Sequence, residues 1–114
     1  MEEEKIFLSY HSSKVELVDH LAKYLERNGR KSWYAARDIR SGEEWDESIH
    51  SAIRDCTAVV LLFCSQADAS VQVKREMSLA DKFKKPVFWV RVERVEPNNL
   101  SYFLSATQWL DWMD

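Results

Sequence analysis

The sequence predicts an α/β domain built on a parallel sheet, and three observations carry that reading. Segments of strand character alternate with segments of helical spacing along the whole chain. The strand segments are too apolar to face water, above all Thr57 to Cys64 (TAVVLLFC). Helical segments lie between successive strands, the arrangement of right-handed crossovers in one sheet.

Lys5 to Tyr10 (KIFLSY) is a short apolar run, the mark of a buried strand. Ser12 or Ser13 is placed to cap a helix whose apolar positions, Val15, Val18, Leu21, Ala22 and Leu25, draw one face, and Asn28-Gly29 supplies its stop. Lys31 to Tyr34 reads as a second strand, and Ala35 to Glu43 (AARDIRSGE) as a polar loop holding one of the two glycines. Trp45, Ile49, Ala52, Ile53 and Cys56 repeat the helical spacing. Thr57 to Cys64 is then the central strand, covered on both faces. After Ser65 to Ser70 a third helix runs roughly from Val71 to Phe83 and ends at Lys84-Lys85-Pro86. Val87 to Val92 (VFWVRV) is a fourth strand, Tyr102 to Leu104 a turn of helix, and Gln108 to Leu110 a short edge strand.

The 114 residues suit a single domain over 1–114. Hydrophobic residues at 46% and charged residues at 31% fit a soluble globular chain, and five Trp, five Phe and four Tyr argue against disorder. The formal charge of −3 is spread without a Lys/Arg stripe, which argues against nucleic acid as partner. No apolar stretch reaches the roughly 18 residues needed to span a membrane. The acidic start, Met1 to Lys5, lacks the basic and apolar regions of a signal peptide, which predicts a cytoplasmic chain. Cys56 and Cys64 match no zinc or redox spacing and read as small core residues. His11, His20 and His50 form no ligand pattern, so no metal is expected.

In a sheet of this kind ligands bind past the carboxyl ends of the strands, where the strand order reverses. That narrows the search to Ser9 to Ser13, Tyr34 to Trp45, and Cys64 to Glu76. The turn Tyr10-His11-Ser12-Ser13 has no glycine, which excludes a dinucleotide fingerprint and a Walker loop. The nucleophile elbow G-x-S-x-G is missing too. Tyr10-His11 and Phe63-Cys64-Ser65 stand where a response regulator would need its acidic residues.

What remains is a set of polar and aromatic groups, Glu76 foremost. On a helix its same-face neighbours are Val73 and Ala80, with Phe83 a turn beyond and uncharged Gln72 four positions earlier. A carboxylate so placed is either half buried at the rim of a pocket or a solvated partner of Lys74, Arg75 or Lys84. The residues alone favour the ion pair, since most helical glutamates are solvated. Tyr10 and Trp45 read first as packed aromatics, and Arg37 to Arg40 equally as a charged turn.

Several segments taken together resemble one family. Ile6-Phe7-Leu8-Ser9-Tyr10, followed by serines, resembles the first box (F-I-S-Y-S) of TIR (Toll/interleukin-1 receptor) domains. Trp33-Tyr34, Arg37-Asp38-Ile39 and Gly42-Glu43-Glu44-Trp45 resemble the second box and the loop after strand two. Ser70 to Glu76 (SVQVKRE) resembles the segment leading to the family's catalytic Glu. Lys85-Pro86-Val87, Leu104-Ser105 and Trp109-Leu110-Asp111 match the tail of the bacterial group. These boxes stand in register over essentially the whole chain. Gln72 departs from the Trp that many NAD-cleaving members carry there, as in a subgroup of bacterial members, and His11-Ser12 replaces a basic pair.

The resemblance implies a flavodoxin-like three-layer fold, with about five parallel strands flanked by helices. The last helix common in the family is missing after Asp111. That implies the N-terminal part of a longer protein fused to a sensor domain, as in antiphage TIR–STING fusions. The activity it implies is that of an NAD+ glycohydrolase, with NAD+ as substrate and no cofactor, yielding nicotinamide with ADP-ribose or a cyclic ADP-ribose. Glu76 is then the catalytic residue, and Tyr10, His11, Ser12, Arg40, Gly42, Trp45 and Gln72 surround the substrate. One carboxylate suffices because nicotinamide is attached as a cation and leaves neutral, whereas an ordinary glycosidase needs an acid as well. The family pattern also implies self-association with other TIR domains through loop 35–44 and a role in bacterial antiphage defence. The alternative is a non-catalytic TIR module that only binds other TIR domains; a flavin binder of the same fold is a third reading.

Overall fold

Five parallel strands lie in the order β2-β1-β3-β4-β5 in the computed structural model, which describes residues 4–104 and 108–112. They are β1 (Lys5–Ser9), β2 (Lys31–Trp33), β3 (Ala58–Phe63), β4 (Val87–Arg91) and β5 (Gln108–Asp111). The helices are α1 (Val15–Arg27), α2 (Ala35–Asp38), α3 (Trp45–Asp55), α4 (Ser65–Asp68), α5 (Val71–Lys82) and α6 (Ser101–Leu104). From β1 the chain steps out to β2 and then returns to the other side of β1 as β3. The switch point of the sheet is therefore at the carboxyl ends of β1 and β3. Ser105, from the tail motif, lies outside the described residues, and no described helix is long and apolar enough to cross a membrane.

A parallel sheet hides both faces, and alternation along each strand decides what each face receives. Ile6, Leu8 and Leu62 point to one side and pack with Val18 and Ala22 of α1. Phe7, Val59, Leu61 and Phe63 point to the other and pack with Ile49 and Ile53 of α3 and with Val73, Met77 and Ala80 of α5. The register of β1 with β3 sets Ser9 beside Leu61, on the α5 side. Cys56 and Cys64 are free and buried, as their apolar surroundings predict.

Two local expectations are corrected. Ser12 and Ser13 do not cap α1; with Lys14 they form a short 3-10 turn, whose cap is Nδ1 of His11 accepting the N–H of Ser13 at 3.1 Å. An imidazole nitrogen two residues before a free N–H serves as acceptor just as an Asp or Asn side chain does. The stretch from Ala35 to Glu43 is not all loop, because its first four residues coil into α2. The Asp38 carboxylate reaches back to accept the N–H of Tyr34 at 2.9 Å, and Arg37 spans to Glu26 at 2.7 Å and to the carbonyl of Ser32. One turn is too short to show a period, so these side-chain ties carried no sequence signal.

α1 and α5 end alike. After α1, Arg30 N–H bonds to Leu25 carbonyl and Gly29 N–H to Glu26 carbonyl, with Gly29 at φ +80°. After α5, Lys85 bonds to Ala80 and Lys84 to Asp81, but here Lys84 holds the left-handed position at φ 55°. A side chain there carries a steric cost that glycine escapes. Lys84 is exposed, so Lys84→Gly removes strain and little else. It is expected to raise stability by about 1 kcal/mol, read as a higher urea midpoint at unchanged slope.

Candidate active site

The core packing of α5 dictates the surroundings of Glu76. Val73, Met77 and Ala80 are buried against the sheet, and Glu76 falls on the same side of the helix. It is 6% exposed. The surface ion pair favoured by the residues alone is overturned: the partners of Glu76 are Ser9 and Gln72, not Lys74, Arg75 or Lys84. Ser9, with no exposed surface, donates its hydroxyl to Oε1 of Glu76 at 2.7 Å. Gln72 donates its amide Nε2 to Oε2 at 3.1 Å. Ser9 reaches Glu76 because it stands two residues after Phe7 and so shares its face.

Burial pushes the Glu76 carboxyl up to about 7, against the pull of the Ser9 and Gln72 hydrogen bonds. A carboxyl with so high a value, at the binding edge of an α/β sheet, marks a functional candidate.

Glu76 opens onto a cleft of about 450 Å³ at the carboxyl ends of the strands, within the size range of ligand pockets. Tyr10, His11, Ser12, Trp45 and Gln72 line it with Glu76. So do Ala35 and Ala36 of α2 and Ser70, the α5 cap. Tyr10 also ties the wall of this cleft together, because its ring meets Tyr34 edge-on at 6.0 Å and its hydroxyl accepts the Ala36 N–H at 3.0 Å. Burial is the main cause that pushes the Tyr10 hydroxyl up. Trp45, the first residue of α3, is 49% exposed at the rim rather than packed inside.

Arg40 and Gly42 are not among the cleft-lining residues. They sit in an exposed turn closed by the Glu43 carboxylate on the Arg40 N–H at 3.2 Å, with Gly42 at φ +91°. A wider cleft of about 740 Å³ beside Lys5, Arg54 and Lys85 lies at the amino-terminal edge of the sheet, away from the switch point. Among the described residues, no group of His, Cys, Asp and Glu is arranged to hold a metal ion. Ser9 is the site residue that the sequence reading passed over, although parity with Phe7 in a strand pointed it at the helix layer.

Over residues 6–114 the chain matches the family model described as TIR domain. The chain belongs to the TIR domain family. Its fold is similar to the TIR domain of the Toll-related receptor TRR-2 from Hydra magnipapillata, with 20% identity and a TM-score of 0.81 over 94% of this chain and 82% of that one. It is similar to the TIR domains of the activated Roq1 resistosome, with 18% identity and a TM-score of 0.70 over 90% and 69%. It is also similar to the Clostridium botulinum CMP N-glycosidase BcmB, with 13% identity and a TM-score of 0.68 over 97% and 89%. No curated protein matches the chain. At these identities the likenesses concern fold, and the chemistry of this TIR domain is argued from its own residues.

The raised value of Glu76 has a consequence for stability. Below the usual value of 4.5 the group is protonated in both folded and unfolded chains, and its contribution is fully present. Between 4.5 and about 7 the folded chain holds a proton that the unfolded chain has lost, so stability falls as pH rises. Glu76→Gln keeps the shape and the acceptor for Ser9. It is expected to match the wild type near about pH 4 and to exceed it by roughly 3 kcal/mol by about pH 8, measured by urea unfolding at both values.

Proposed function

We propose that this TIR domain hydrolyses NAD+ at the bond between nicotinamide and ribose, with Glu76 as the catalytic carboxylate. The observation that carries the proposal is a buried carboxylate, without a cationic partner among the described residues, on the floor of a cleft at the switch point of the sheet. The C1′–N bond breaks with its electron pair leaving on the nicotinamide nitrogen, which becomes neutral. Positive charge develops on the ribose, and an anion held beside it in a low-dielectric site stabilises that charge strongly. Water then adds to C1′ and releases a proton, giving ADP-ribose; attack by a hydroxyl of the bound product gives the cyclic form instead. Trp45 at the rim and Tyr10 in the wall offer ring faces to the substrate, while His11, Ser12 and Gln72 offer polar groups.

Fold-level analogy is in keeping with this reading: BcmB is described as a CMP N-glycosidase, an enzyme of the same bond class. Among the described residues, the cleft lining contains no lysine or arginine, so a dinucleotide's phosphates must find cations elsewhere. We place Arg40 of a neighbouring copy there, with association through the turn that carries it, in keeping with the assembled TIR domains of the activated resistosome. The setting we propose, from the family resemblance, is antiphage defence triggered by clustering.

Incubation of the concentrated domain with NAD+, followed by chromatography, is expected to release nicotinamide. Glu76→Gln is expected to lower the rate by at least about 10²-fold. CMP in parallel tests the neighbouring substrate class, and release of cytosine without nicotinamide overturns NAD+ as substrate. Absence of any release under clustering, with self-association intact, leaves the module as an interaction domain. In the active enzyme kcat/KM is expected to rise with pH and level off above about 7, as Glu76 ionises in the free protein. The midpoint in kcat is expected to lie lower, because a bound cationic ring favours the carboxylate.

A further inference from the structure

The two oxygens of Glu76 are held unequally. Oε1 takes the hydroxyl of Ser9 at 2.7 Å, from a residue with no exposed surface at the end of a central strand. Oε2 takes the amide of Gln72 at 3.1 Å, from a long, partly exposed side chain in the first turn of α5 that also lines the cleft. The first donor is fixed by the register of β1 with β3; the second swings on rotatable bonds. We propose that Ser9 is the positioning residue for Glu76, locking Oε1 so that Oε2 is the oxygen presented to substrate, with Gln72 as the exchangeable donor whose place a ribose hydroxyl takes.

The inference rests on the hydrolase reading for its catalytic meaning, but the coupling of Ser9 to Glu76 is measurable without it. A hydroxyl donating to a carboxylate favours the ionised form, so its loss makes the group harder to ionise. The other titratable groups facing this cleft are Tyr10 at the end of β1 and His11 at the cap that follows. α2 and α3 contribute Ala35, Ala36 and Trp45, which do not titrate, and Lys74 and Arg75 on α5 stand exposed. Ser9 and Gln72 are therefore the described side chains that hydrogen-bond the carboxylate, and Ser9 is the closer of the two.

The test compares Ser9→Ala, Ser9→Cys and Gln72→Ala with the wild type. Alanine removes the donor and leaves a small gap, whereas cysteine fills the site with a slightly larger atom that is a weak donor, so a shift shared by both variants reports the hydrogen bond and not the packing. The carboxyl of Glu76 is followed by carbon NMR against pH in the ligand-free domain, its signal assigned by its loss in Glu76→Gln. Both Ser9 variants are expected to raise the midpoint by about one pH unit, and Gln72→Ala by less. In turnover, the Ser9 variants are expected to move the pH profile with the same sign and lower kcat, while Gln72→Ala changes KM for NAD+ more than kcat. A Glu76 midpoint unmoved in Ser9→Ala, or moved more by Gln72→Ala, overturns the inference whether or not NAD+ is cleaved. A raised midpoint in a domain that never releases nicotinamide supports the Ser9 coupling and overturns the hydrolase reading instead.

Discussion

The site depends on one constraint, the burial of an acid between β1 and α5. A sheet covered on both faces leaves the end of β1 with no route to water on the α5 side, so Ser9 must find a partner within the protein. The side chain facing it across the layer is Glu76, whose carboxylate is equally in need of donors. A buried carboxylate is tolerated only when hydrogen bonds replace its lost water. Ser9 from the strand and Gln72 from the preceding turn of the helix provide them, one to each oxygen. The rest of the cleft is arranged around that pair, since Tyr10 and His11 continue directly from Ser9 and Ser70 caps the helix that carries Glu76.

Charge balance separates this carboxylate from the others nearby. Asp38 is paired with Arg37, and Asp19 with Lys23, each at or near the surface. Such pairs stabilise the ionised form but also neutralise it, leaving little attraction for a third charge. Glu76 is treated differently: among the described residues it receives neutral donors and no cation, and burial dominates its proton affinity. The result is an acid that gains from a positive charge entering the cleft, whether that charge belongs to a ring or develops on a sugar. The same low dielectric that raises its proton affinity strengthens that attraction.

Much of the fold was legible because both periodicities are strong. All five strands and the helices α1, α3 and α5 lie within a residue or two of where apolar spacing put them, and Asn28-Gly29 ended α1 as its chemistry required. What could not be read were features made by side chains meeting across the fold: the His11 cap, the coil of α2, and the burial of Glu76. Helical spacing showed that Glu76 shared a side with Val73 and Ala80, but one polar residue on an apolar face is compatible with either rim or interior. Only the sheet register, which brings Ser9 to it, decides. Arg40 and Gly42, which the family resemblance set around the substrate, stand in an exposed turn and are not among the residues that line the cleft.

The stretch after β2 divides into a part tied to its surroundings and an exposed turn, and this bears on how association would act. Its first part, α2, is tied on several sides: Tyr10 hydroxyl to Ala36, Asp38 to Tyr34, and Arg37 to Glu26 and Ser32. The hydroxyl of the buried Tyr34 is in turn held by Asp19 of α1, and burial together with that carboxylate pushes it up to about 12, so this tie does not titrate near neutral pH. The second part, Arg40 to Glu44, is exposed, and its described hydrogen bonds run within the turn or to Ser48. Since α2 forms a wall of the cleft and the turn does not, a partner that docks on the turn stands apart from the ties of that wall and next to Trp45, which follows Glu44 at the cleft rim. Association through Arg40 to Glu44 would then add groups at the Trp45 rim of a cleft whose α2 wall is already held, because the ties of that wall lie on the other side of Ile39.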